Sequence, residues 1–100
     1  MKSELPGGFD STLHPPARLQ IAAVLAQASE AEFARLRSIT GVSDSVLSKH
    51  LAALGEAGYI TLRKAAADGR QRTWASLTGA GRTAFKAHVS ALEALIAAAE

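Results

Sequence analysis

One hundred residues, a formal net charge of +2 and no cysteine describe a chain of single-domain length that has neither disulfides nor thiolate metal sites. Apolar residues make up 48% but aromatics only 5%, so the core is expected to be small and built from Leu, Ile, Val and Ala, with part of the stability coming from a partner subunit. No apolar run approaches the roughly 20 residues that span a bilayer, and MKSELPGGFDSTL lacks a signal-peptide core, which points to a cytoplasmic protein without a membrane partner.

Residues 1–12 hold Pro6, Gly7 and Gly8 and no periodic pattern, and are expected to form a flexible arm. Pro15 and Pro16 suit a helix start, because proline at the first helical position gives up no needed hydrogen bond. That helix should run to about Gln27 with Leu19, Ile21, Val24 and Leu25 facing inward. Ser29 and Glu32 have the spacing of a capping box; the alternative is a short extended piece at Glu32-Phe33 with a helix from about Ala34. Either way Phe33, Leu36 and Ile39 point to the core, and Gly41 ends the helix in a left-handed conformation.

Ser43 is a good N-cap for a third helix over about Asp44 to Ala57. Leu47, Leu51 and Leu54 fall on one stripe of it, opposite Ser45, Ser48, Lys49, Ala52 and Glu56, with Val46 nearer an edge. Gly58 closes it. Tyr59 to Lys64 and Arg72 to Leu77 read as paired strands, and Ala65 to Gln71 as a mobile turn too long for a two-residue hairpin. Thr78 caps a last helix from about Ala80 to Ala99, along which Phe85, Val89, Leu92, Ile96 and Ala99 repeat with coiled-coil-like spacing and Leu95 widens the seam.

Charge is concentrated in the middle of this pattern. Between Arg35 and Trp74 there are seven basic and three acidic side chains, against four and six elsewhere. A groove-sized helix with one polar face, followed by a basic hairpin, is a coherent surface for a polyanion. The order helix, helix, helix, hairpin, long helix is that of a winged helix-turn-helix: mainly α with a small β-hairpin, an arm at 1–12, a reading domain at 13–78 and a C-terminal helix at 79–100.

The residues Phe33, Leu36, Thr40-Gly41-Val42, Leu47-Ser48-Lys49-His50-Leu51, Leu54, Ala57-Gly58-Tyr59-Ile60, Thr73-Trp74 and Leu77-Thr78 with Gly81-Arg82 and Phe85 resemble those of MarR-type (multiple-antibiotic-resistance regulator) winged-helix transcription regulators of the short, single-domain kind. The resemblance covers roughly residues 13 to 96. It implies a third helix in the major groove of double-stranded DNA, a wing at the minor groove or backbone, and terminal helices that pair two subunits. The implied DNA-binding residues are Ser43, Ser45, Val46, Ser48, Lys49 and His50 on the helix and Arg63, Lys64, Arg70 and Arg72 on the wing. Lys49 is the leading contact within the helix, and Arg70 at the tip suits a minor groove. His50 lies beside the buried stripe and reads as flanking support.

Ser43, Asp44 and Ser45 sit at the positive end of the helix dipole, where a phosphate is favoured, although Asp44 would repel one placed too close. Phe85, Val89, Leu92, Leu95, Ile96 and Ala99 form the expected homodimer seam, with His88 a candidate for a bond across it. Trp74 is expected to pack on the wing stem or the last helix. His14, His50 and His88 are dispersed, without zinc-like spacing, so neither metal nor cofactor is expected.

The functional expectation is therefore a homodimeric, sequence-specific transcriptional regulator on a near-palindromic operator. An effector, if one exists, would be a small molecule bound between the terminal helices and the reading lobe. A winged helix used for protein–protein contact is the alternative, and would present a more apolar helix face. No nucleophile–base pair, glycine-rich phosphate loop or carboxylate cluster suggests an enzyme.

Overall fold

In a computed structural model, described over residues 5–99, the chain forms α1 (Pro16–Gln27), β1 (Ala31–Glu32), α2 (Phe33–Thr40), α3 (Asp44–Glu56), β2 (Ile60–Ala67), β3 (Arg70–Leu77) and α4 (Gly79–Ala98). Residues 1–4 of the expected arm and Glu100 of the expected terminal helix lie outside the described residues. The strands make one antiparallel sheet in the order β1-β3-β2.

α1 starts at Pro16, as the double proline implies. Of the two readings of the next stretch, the extended piece prevails. Ala31 and Glu32 pair with Ala75 and Trp74, and Glu32 becomes the N-cap position of α2 without a side-chain cap bond. Gly41 closes α2 at φ 73°. The expectation that Ile39 is core is wrong: only Leu36 of α2 is buried, Phe33 packs on the core edge, and Ile39 is exposed.

The hairpin corrects the sequence reading more substantially. β2 and β3 continue in register to Ala67↔Arg70, so the connection is the two-residue turn Asp68-Gly69 rather than a seven-residue mobile tip. Both turn residues have positive φ, 54° and 74°, the requirement of the turn whose twist matches that of paired strands. Asp68 thus serves the turn, since Asp and Gly tolerate this conformation best.

The core gathers Leu13, Ile21, Leu25, Leu36, Leu47, Leu51, Leu54 and Ile60 with Ala22, Ala31 and Ala75. Its edge holds Val24, Phe33, Val42, Tyr59, Leu77, Ala84 and Phe85. Burial of aliphatic surface drives this assembly. α4 is fixed to it at its start. The Thr78 hydroxyl accepts from Gly81 N–H (2.9 Å) and donates to the Gly58 carbonyl (2.7 Å), while Thr78 N–H donates to the Tyr59 carbonyl (3.0 Å). Gly81 lies so close that a Cβ there would meet Tyr59 O at 2.1 Å. Arg82 donates to the Ala26 carbonyl at the end of α1 (3.1 Å). The Leu77-Thr78 and Gly81-Arg82 pattern is therefore a joint between α4 and the three-helix lobe.

The arm is not loose over the described part nearest the core. Leu13 is fully buried, and Asp10 and Phe9 dock on the fold. His88 is fully buried too and faces this segment, so it makes no bond across a dimer seam. Nor are all three histidines dispersed in space: the His14 and His88 rings stand 5.5 Å apart.

Candidate nucleic-acid interface

α3 is held from below and capped in front. Leu47, Leu51 and Leu54 are buried, and the Ser43 hydroxyl accepts from Val46 N–H (3.3 Å). With the leucine stripe committed, the helical period leaves Ser45, Val46, Ser48, Lys49 and Ala52 exposed on the outer side. Val46 is 39% exposed, an apolar side chain among polar ones.

Two partners were not apparent in the sequence. Arg37, in the last turn of α2, reaches the Asp44 carboxylate at 2.8 Å. This pair offsets the acidic charge at the start of α3 that would otherwise oppose a phosphate there. Arg18 of α1 donates from Nε to His50 Nδ1 (3.1 Å) and from its terminal nitrogen to the Thr12 carbonyl (3.2 Å). His50 is half-buried, and burial, together with the Arg18 charge, holds its pKa below the ordinary value. It is a neutral brace between α1 and α3, with Nδ1 already engaged; support, rather than a primary DNA contact, is the role this geometry gives it.

Alternation along the hairpin separates its cations. Leu62, Lys64 and Thr73 line an open groove of about 250 Å³ together with Ser48, Leu51 and Ala52 of α3 and Phe33. Lys64 is therefore on the α3 side. Arg63 and Arg72 belong to the opposite face with Trp74, and both are engaged: Arg63 with Glu30 at 2.7 Å, Arg72 with Glu32 at 3.0 Å and, more distantly, Asp68 at 3.8 Å. Arg63 also lies over the Trp74 ring, 5.5 Å from its centroid. Trp74 packs on the wing stem, as expected. Of the four wing cations expected to be available to phosphates, Arg63 and Arg72 stand in ion pairs within the domain. Among the described residues, Lys49, Lys64 and Arg70 form no ion pair.

The expected dimer stripe also divides. Phe85 packs against the core of its own chain, and Val89 and Leu92 are half-buried. Leu95, Ile96 and Ala99 are exposed, Ile96 by 65%. The buried line of α4 runs instead through Gly81, His88 and Ala91.

The arrangement of an exposed polar helix beside a two-stranded wing matches known proteins along nearly the whole chain. Residues 17–96 match the family model described as a winged helix DNA-binding domain. The chain belongs to the winged-helix DNA-binding domain family. An uncharacterized protein of Methanocaldococcus jannaschii is 33% identical over 72 residues, which span 72% of this chain and 78% of that protein. A solved transcriptional regulator homologue from Pyrococcus horikoshii OT3 is 28% identical with a TM-score of 0.81, covering 89% of this chain and 88% of that one. The transcriptional repressor BigR from Xylella fastidiosa is 25% identical with a TM-score of 0.65, over 79% and 74% of the two chains. The MarR-like reading of the sequence falls within this winged-helix group, and the two solved structures are a transcriptional regulator homologue and a transcriptional repressor. No helix among the described residues is long and apolar enough to cross a membrane.

Proposed function

We propose that this winged helix is a sequence-specific transcriptional regulator of the cytoplasm, acting as a homodimer on a near-palindromic operator. The carrying observation is the set of exposed groups around the α3–wing groove: Ser45, Ser48 and Lys49 on the helix and Lys64 on the facing strand, with neither lysine in an ion pair among the described residues. α3 enters the major groove, where the serines and Lys49 reach base edges and phosphates. Lys64 meets the backbone beside the groove, and Arg70 at the wing tip reaches the neighbouring minor groove.

The second copy is supplied by α4. The chain is elongated, 55 × 26 × 21 Å with a radius of gyration of 14.9 Å, against about 13 Å for a compact domain of this length. Leu95, Ile96 and Ala99 on the last turns of α4 are exposed among the described residues. Pairing them with a second α4, with Val89 and Leu92 at the margin, buries that apolar surface and sets two copies of α3 on one side of a duplex. A small-molecule effector seated between α4 and the reading lobe would act by shifting the population of reading geometries. A thermal-shift screen of metabolites is its test.

Binding to genomic fragments, measured by gel shift across a salt series, tests the central reading. Phosphate contacts from Lys49, Lys64 and Arg70 of each subunit give an expected log–log salt slope of about −5, whereas four phosphate contacts per subunit would give about −7. A slope near zero would exclude a phosphate-dominated interface. Sedimentation should give a dimer, and Ile96→Asp a monomer; a monomeric wild type removes the seam.

A further inference from the structure

The segment from Pro6 to Leu13 lies wholly ahead of the family match. It runs between α4 and the corner where α3 hands over to β2, and Asp10 holds both. Its backbone N–H donates to His88 Nδ1 on α4 (2.9 Å), and its Oδ2 accepts from the Tyr59 hydroxyl at the corner. Its Oδ1 folds the strap on itself by accepting from Thr12 N–H (2.8 Å) and Leu13 N–H (3.2 Å). Phe9 packs against the His14 and His88 rings, each 4.9 Å away. Gly8, at φ 93°, lies flat on α4, where a Cβ would come within 3.0 Å of Ala87 O.

The choice of residue at 88 is itself informative. His88 is fully buried, and its Nε2 finds no hydrogen-bond partner among the described residues. An apolar side chain would avoid that desolvation cost. The imidazole supplies instead one directional acceptor, which fixes the strap to α4 at a single register.

Two points are needed to fix the direction of a rod. The joint at Gly81 is one. His88, seven residues along and about 10 Å away, is the other. Beyond Ala84 and Phe85, which pack on the core edge, it is the polar contact that sets the tilt of α4. From Gly81 to Ile96 the helix extends roughly 22 Å, so a swing of about 10° moves the dimer surface by nearly 4 Å. That displacement is about one base-pair step of duplex.

We infer that Asp10 is a positioning residue for DNA binding: by clasping His88 and Tyr59 it fixes the angle between α4 and the reading lobe, and hence the half-site spacing the dimer accepts. This rests on the dimeric reading above. The experiment uses duplexes carrying the half-sites that the wild-type chain selects from a random pool, with their spacing varied one base pair at a time. Two substitutions cut the clasp at opposite ends. Tyr59→Phe removes the hydroxyl and keeps the ring packing; Gly8→Ala lifts the strap from α4.

The wild type should show a sharp spacing optimum. In both variants the preference for the optimum over its one-base-pair neighbours should fall roughly five- to tenfold, the equivalent of one lost hydrogen bond, with affinity for a single half-site unchanged. A wild-type optimum that persists undiminished in both variants, or an equal loss of affinity at every spacing, overturns the clasp alone. A wild type with no spacing optimum overturns the dimeric reading and the clasp with it.

Discussion

Both faces of the β2–β3 hairpin carry cations, a lysine on one and arginines on the other, and use them differently. On the face toward α3, Lys64 stands beside Leu62 and Thr73 and forms no ion pair among the described residues. On the other, Arg63 and Arg72 are matched to Glu30 and Glu32, from the loop and strand that precede α2, and bracket Trp74. The first face can meet an external anion without breaking anything. On the second, Arg63 and Arg72 fasten the wing to the body of the domain, while Arg70 at its tip forms no ion pair among the described residues. A count of positive charge cannot separate these roles, because strand alternation and the acidic partners on β1 and the loop before it decide them.

The sharpest way to establish which residues are scaffold is to remove a support from beneath the reading surface. Leu47→Ala empties a buried site under α3 and should cost about 2–5 kcal/mol in denaturant unfolding. Binding should then fall only as the folded fraction falls. A loss of affinity without a loss of stability would place Leu47 in the interface and not beneath it.

Next in size is the contrast between the two hairpin faces. Lys64→Ala should leave stability within about 0.5 kcal/mol and make the salt slope less negative by about 2 per dimer. Arg72→Ala should lower stability by up to about 1 kcal/mol and leave the slope as it is. The opposite pattern, with Arg72 changing the slope and Lys64 silent, would show that the Glu32 pair opens on DNA and that the far face is the one that binds.

How far these roles can be read ahead of a structure depends on how local their cause is. α3 was legible because everything that makes it lies within Ser43 to Gly58: the cap, three leucines at helical spacing and the closing glycine. The hairpin length was not. Ala65, Ala66 and Ala67 have weak strand preference, which outweighed the Asp68-Gly69 signal for a tight turn. The expected seam on α4 took its period from Val89 and Ile96, at the margin of the face that His88 and Ala91 bury. The ion pairs and the strap join residues far apart in the chain: 33 and 40 positions for the wing pairs, 49 and 78 for the bonds from Asp10. No periodicity records such partners. A proline and two glycines next to Asp10 read as a loop, and what ties the strap down is supplied by Tyr59 and His88.

The smallest expected effect distinguishes the buried side of the molecule from its reading surface by pH. His88 and His50 both have pKa values below the ordinary histidine value of about 6.5, because burial disfavours the charged ring; the charges of His14 and Arg18, respectively, add to it, and Asp10 opposes it at His88. The unfolded chain therefore binds more protons than the folded one between those lowered values and about pH 6.5. Stability should be level with respect to these groups above that pH, decline as pH falls through the window, and level again once the folded rings are protonated. Acid should therefore loosen the strap and the α1–α3 brace, which rest on His88 and His50. Protonation of His88 at Nδ1 turns the acceptor for Asp10 N–H into a donor, and the two then repel. Thermal melts between pH 5 and 8, on the wild type and on His88→Leu, should show a shallower acid decline in the variant. An identical decline in both would mean that the His88 ring remains hydrated and holds no strap.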